Sequence, residues 1–214
     1  MSVAVKRAPE SIPRPALAPE ALPAARPACS FHRFSVGQYH RMIAAGILTE
    51  NDRVELLDGL IVAKMTHNPP HDAAVSLVNK ALLRRLAEDW VVRVQSAVTL
   101  AGSEPEPDVA VVRGPERRYT RSHPRPKDVA LLVEVAESTV ETDREGKGRL
   151  YARARIPVYW LVNLPASRVE VYTQPRGGRA PAFRQRQDYG REDQVPLLIA
   201  GEEVARVAVR DLLP

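Results

Sequence analysis

Between Val129 and Ala136 the chain reads VALLVEVA, an apolar run broken by a single carboxylate, Glu134. A run this short, continuous and rich in β-branched residues predicts a central, buried strand, and a chain built around such a strand needs layers on both sides of a sheet. An ionised group inside it is costly unless it is paired or binds a metal. The same breach recurs nearby. Asp108 heads a second strand-like run, Asp108 to Val112, and Lys147 falls on the apolar stripe of a helix. Three breaches inside one stretch, Glu104 to Asn163, ask for a common cause.

The rest of the chain sets the frame for that stretch. Its 214 residues suffice for one domain of ordinary size with a tail. Residues 1–30 are the tail: Pro9, Pro13, Pro15, Pro19, Pro23 and Pro27 recur too densely for helix or ladder, which predicts a disordered or extended arm before a single domain over residues 31–214. No apolar run approaches a membrane span, and the start, MSVAVKRAPE, lacks the apolar core of a signal peptide. The one cysteine, Cys29, excludes an intrachain disulfide and argues against a thiolate metal site, so a cytoplasmic location is the expectation. A net charge of +5 suits a polyanionic partner but is scattered among nearly as many acids.

Local signals predict the elements. Ser35 is placed to cap a short helix that carries Tyr39, Met42 and Ile43 on one face and ends near Gly46. Asp58-Gly59 between apolar runs predicts a hairpin of Val54–Leu57 with Leu60–Lys64. Val75, Val78, Leu82 and Leu86 give Asp72 to Glu88 an amphipathic helical period. Trp90 to Leu100 reads as a strand, followed by the Asp108 strand and a basic loop from Arg113 to Lys127. Asp143 opens a helix that must stop before Pro157, and Val158–Asn163 and Val169–Thr173 read as strands around a turn at Pro165 to Ser167. Pro175 to Ala182 reads as loop, with short strands after it. These elements predict an α/β or α+β protein with a mixed sheet.

Asp108 and Glu134 on neighbouring strands, about 4.8 Å apart, can reach one ion. Two carboxylates are hard ligands of the kind that suit Mg²⁺ or Mn²⁺ with substrate phosphate. Lys147 shares a helix face with Leu150, Tyr151 and Ala154, and aimed at the carboxylates it can orient a water or stabilise charge on a phosphate. The plain alternatives are an Asp that only serves a turn, a Lys that snorkels to water, and a Tyr that is only core. Pro69 and Pro70 between His67 and His71 rule out a helical metal pair, which leaves His71 to cap or precede the next helix. The sequence holds no GxSxG, GxGxxG or phosphate-binding loop.

Pro107-Asp108, then Glu134, then a lysine resembles the PD-(D/E)XK nuclease superfamily. VELLDG, EPDVAVV, LLVEVAES, DREGK and YWLV, in that order over about Phe34 to Thr173, resemble more narrowly its Uma-two family of restriction-endonuclease-like proteins. The resemblance implies a restriction-endonuclease-like mixed sheet flanked by helices, with Glu55, Asp108, Glu134 and Lys147 as the site. It implies a Mg²⁺- or Mn²⁺-dependent endonuclease acting on DNA, with Asp108, Glu134, the Val135 carbonyl and Glu55 around the ion. Ala136 stands where the superfamily has its lysine, so Lys147 supplies that group from the helix, as in the narrower family. Asn163 stands where Asp is more usual. A homodimer would suit cleavage of both strands. Two alternatives stay open: an inactive nucleic-acid- or protein-binding module on the same fold, and a structural salt bridge of Lys147 with Glu134.

Overall fold

The apolar octet Val129–Ala136 forms strand β5, buried at all eight positions, inside a six-stranded sheet. The computed structural model describes residues 30–214, so the expected arm, apart from Ser30, lies outside the described residues. His32–Pro214 make one compact unit. The sheet contains β3 (Trp90–Val94), β4 (Val109–Arg113), β5, β6 (Val158–Asn163), β7 (Arg168–Arg176) and β8 (Ala182–Gly190), in that spatial order. Among the described residues, only β5 and β6 pair in parallel. Their connection is also the one in the sheet that carries an α-helix, because parallel neighbours need a crossover whereas antiparallel ones need only a turn. A mixed α+β architecture around a mixed central sheet follows, as the sequence predicts.

Each face of the sheet has its own cover. On one face, Val109, Val111, Val133, Val135 and Trp160 pack under helix α2 (Pro69–Leu83) and a ribbon of β9 (Gln194–Ile199) with β10 (Glu202–Ala208). That face is therefore shared between a helix and strands rather than covered by helices alone. On the other face, Ala110, Leu132, Ala136 and Leu161 lie under helix α3 (Gly148–Arg153), with Tyr151, Tyr159, Tyr172 and Phe183 in mutual ring contact beside them. Helix α1 (Val36–Ala44) and the hairpin of β1 (Val54–Leu57) with β2 (Leu60–Ala63) complete the elements that frame the site.

Local chemistry explains most boundaries. Ser35 and Gln38 form a reciprocal capping box on α1, whose Tyr39 is buried while Ile43 stays about half exposed. Asp58 and Gly59 take φ of 48° and 78°, the left-handed pair that a two-residue hairpin turn requires. Helix α2 begins at Pro69 rather than Asp72. Asn68 caps it, and the two prolines fill first-turn positions whose N–H groups have no helical partner. The strand from Trp90 stops at Val94, well short of Leu100, because Gln95 turns left-handed with φ of 45°. Strand β7 runs on through Pro175 to Arg176, which shortens the expected loop. Among the described residues, no helix is long and apolar enough to cross a membrane.

Candidate active and metal site

The register of β4 against β5 pairs Val109 with Val133, and one further step sets Asp108 opposite Glu134 on the same face of the sheet. Both side chains are buried. The Val135 N–H donates to Asp108 Oδ2 at 2.9 Å, which fixes the carboxylate across the strand ends. Glu55, on β1, reaches the same region because its hairpin is pinned to the EPEPD segment. The Glu104 N–H donates to the Leu56 carbonyl at 2.7 Å, and the Glu106 N–H donates to Glu55 Oε2 at 3.0 Å.

Lys147 arrives from the crossover. Thr142–Lys147 is a π-helical turn that runs directly into α3, a widened form of helix common at functional sites. Lys147 Nζ donates to Glu134 Oε2 at 3.0 Å and lies 3.8 Å from Glu55 Oε1. One turn on, the Tyr151 hydroxyl donates to Glu134 Oε1 at 2.5 Å, so Tyr151 serves both the core and the carboxylate. Lys147 and Tyr151, from the expected helical face, therefore both point at Glu134. A further buried carboxylate joins them: Asp143, in the π turn, accepts from the Thr139 hydroxyl at 2.5 Å.

These groups perturb one another. Burial would depress the Lys147 ammonium, but Glu134, Glu55 and Asp143 outweigh it and hold its pKa well above the ordinary lysine value. Burial pushes Glu134 well up, with Asp108 and Asp143 adding to the shift while Lys147 and Tyr151 oppose it. Asp143 is raised for the same first reason. Burial would also raise Asp108, yet hydrogen bonds from His71 and the Val135 N–H, with the nearby Lys147 charge, bring it below the usual carboxylate value.

His71 is the residue that sequence reasoning underweighted. It lies in the first turn of α2 and is buried, and its Nε2 sits 3.2 Å from Asp108 Oδ2. His67 precedes the cap residue Asn68, so the chain reversal at the cap stacks the two imidazoles with centroids 4.1 Å apart. The prolines forbid only a helical His pair; the pair forms across the helix start instead. Ligand atoms of His67, His71 and Asp108 all lie within 4.8 Å of one another. The usable signal was His71 at the third position after an Asn cap, with His67 just outside.

Asn163 does different work. It donates to Glu170 Oε1 at 2.9 Å and accepts from the Ala166 N–H, which closes the β6–β7 turn. Glu170 is fully buried among Arg144, Arg168 and Arg186 with the Tyr172 hydroxyl, a cluster the sequence pattern did not announce.

Known proteins share the family and the fold. A family model described as Uma2, putative restriction endonuclease, matches residues 36–205. The fold is similar to the crystal structure of a putative nuclease belonging to DUF820 from Anabaena variabilis ATCC 29413. The TM-score is 0.55 at 16% identity, over 79% of this chain and 94% of that one. No curated protein matches.

Proposed function

Since the chain belongs to the Uma2 family of putative restriction endonucleases, we propose that it is a metal-dependent endonuclease that hydrolyses DNA phosphodiester bonds. The observation that carries this reading is charge. Glu55, Asp108, Glu134 and Asp143 crowd around the single ammonium of Lys147 in a buried site. Buried like charges repel, and a pocket this short of positive charge fits a divalent cation and would otherwise turn a phosphate away. Asp108 and Glu134 would hold Mg²⁺ or Mn²⁺, with Glu55 within reach. Bound there, the ion supplies Lewis acidity toward a phosphoryl oxygen and a more acidic water.

The chain's own groups do the rest. Lys147 is held toward its protonated form by Glu134, Glu55 and Asp143. It donates hydrogen bonds to the attacking water or to the charge that builds on the phosphate. Glu134 aims Lys147, and Tyr151 fixes the other oxygen of Glu134. The exposed Arg117, Arg121 and Arg125 of the basic loop suit contacts to a DNA backbone. A homodimer would suit cleavage of both strands.

The test is nicking of supercoiled plasmid in Mg²⁺ or Mn²⁺. Asp108→Asn and Lys147→Ala are expected to slow it by roughly a hundredfold or more, in the range of other lost electrostatic stabilisers. A wild type inert on duplex and single-stranded DNA with both ions refutes the proposal. The 3.0 Å Lys147–Glu134 pair supports a second reading, a binding module in which that pair is structural. In that case wild type does not cleave, Mn²⁺ leaves its melting temperature unchanged, and Lys147→Ala costs about 3–5 kcal/mol.

A further inference from the structure

We propose that His67, His71 and Asp108 form a transition-metal site, so that this protein takes a borderline ion such as Co²⁺ or Zn²⁺ in preference to Mg²⁺. The inference rests on the endonuclease reading and adds His67 and His71 beside Asp108 as ligands, which sets the class of ion, and ion binding tests it without DNA.

Geometry carries the argument. Ligands about 2.1 Å from a common ion lie up to about 4.2 Å apart. The three ligand atoms here, all within 4.8 Å of one another, need only a small side-chain adjustment to reach that arrangement. His71 turns Nε2 toward Asp108 at 3.2 Å, while its Nδ1 faces Asp72 Oδ1 at 3.5 Å. A carboxylate behind the non-ligating nitrogen is the usual way a metal-binding imidazole is oriented. His67 differs: its Nδ1 accepts from Gln95 Nε2 at 3.1 Å and lies 3.6 Å from Asp72, so ligation through Nε2 needs Gln95 to turn away and leave Asp72 as the acceptor. Asp108 uses Oδ2 for both its hydrogen bonds, and among the described residues Oδ1 has none.

The fold holds the pair in place from two directions. Asn68 accepts from the His71 N–H to start α2, and its amide donates to Glu137, the residue that follows β5. The helix start is thereby tied to the same strand end that positions Asp108 and Glu134. A neutral imidazole is a poor ligand for Mg²⁺, which demands oxygen and retains its waters, but a good one for later first-row ions. Two imidazoles on one carboxylate therefore shift selectivity away from Mg²⁺ even though the neighbouring groups are all oxygen donors.

The experiment is titration of metal-free, tag-free full-length protein with Co²⁺, followed by its visible absorbance, and with Mg²⁺ by calorimetry. Co²⁺ is expected to bind at least roughly a hundredfold more tightly than Mg²⁺ with a band of nitrogen-ligated Co²⁺. His67→Gln and His71→Gln should each weaken Co²⁺ by roughly tenfold or more. His40→Gln, whose ring contacts Glu104, should leave it unchanged. His67 is partly exposed, so its variant keeps the test open if His71→Gln misfolds. Equal affinity for the two ions, or loss of Co²⁺ in Glu134→Gln but in neither histidine variant, overturns the proposal. Cleavage supported by Mg²⁺ alone in His71→Gln would do the same while leaving the endonuclease reading intact. Normal Co²⁺ binding by a protein that cuts no DNA would sink only that reading.

Discussion

Replacing Glu170 with glutamine tests the cluster that anchors the crossover. Glu170 is 0% exposed. It accepts from Arg144 at 2.7 and 3.1 Å, from Tyr172 at 2.7 Å and from Asn163 at 2.9 Å, with Arg168 at 3.2 Å and Arg186 at 3.3 Å. Burial alone would raise its pKa. These donors win and hold it at about 2 against an ordinary 4.5. Holding the carboxyl that far down corresponds to about 3 kcal/mol of stability at pH 7. Removing one partner of a buried ion pair costs a similar amount, about 3–5 kcal/mol. Because folding lowers this pKa, the contribution is complete above the ordinary carboxyl value and fades as the pH falls toward 2; about 1.4 kcal/mol of it survives at pH 3. Urea unfolding of wild type and Glu170→Gln at pH 7 and pH 3 measures both terms. The gap between the proteins should be about 3 kcal/mol at neutral pH and about half that or less at pH 3. A gap below about 1 kcal/mol at pH 7, or one unchanged at pH 3, refutes the reasoning. Arg144 lies in the same π turn as Lys147, so the variant should also slow any cleavage by loosening that lysine.

Two further substitutions probe the frame of the site. Tyr151→Phe deletes the hydrogen bond to Glu134 Oε1 without changing shape, and should cost about 1.5–3 kcal/mol in urea unfolding, the range for a bond to a charged group. A neutral result would mean that Glu134 is held by Lys147 alone. Gly59→Ala places a Cβ 2.7 Å from the Arg33 Cβ at a φ of +78°. The left-handed backbone alone costs about 1–2 kcal/mol, so the melting temperature should fall by several degrees; an unchanged value would show that the turn has another conformation open to it.

What the sequence determined by itself was local and periodic. β-branched runs specified β5 and β6 to the residue, Asp58-Gly59 specified a hairpin, and Ser35 specified a cap. Asp108, Glu134 and Lys147 were legible as candidates because charge inside an apolar pattern stands out one residue at a time, whereas Glu55 was a candidate only through the family resemblance. Tertiary structure decided what each of them touches. Glu134 meets Lys147 and Tyr151 because the β5–β6 crossover lays its helix back over the sheet. Asp108 meets His71 because a capped helix start happens to end beside β4, 37 residues away in sequence. Glu170, one carboxylate in an ordinary-looking strand, became the centre of an arginine cluster only when β7 packed between β6 and β8 under the π turn. Periodicity tells which face a side chain takes. Which partner waits on that face depends on loop lengths, caps and register acting together, and no short stretch of sequence contains all three.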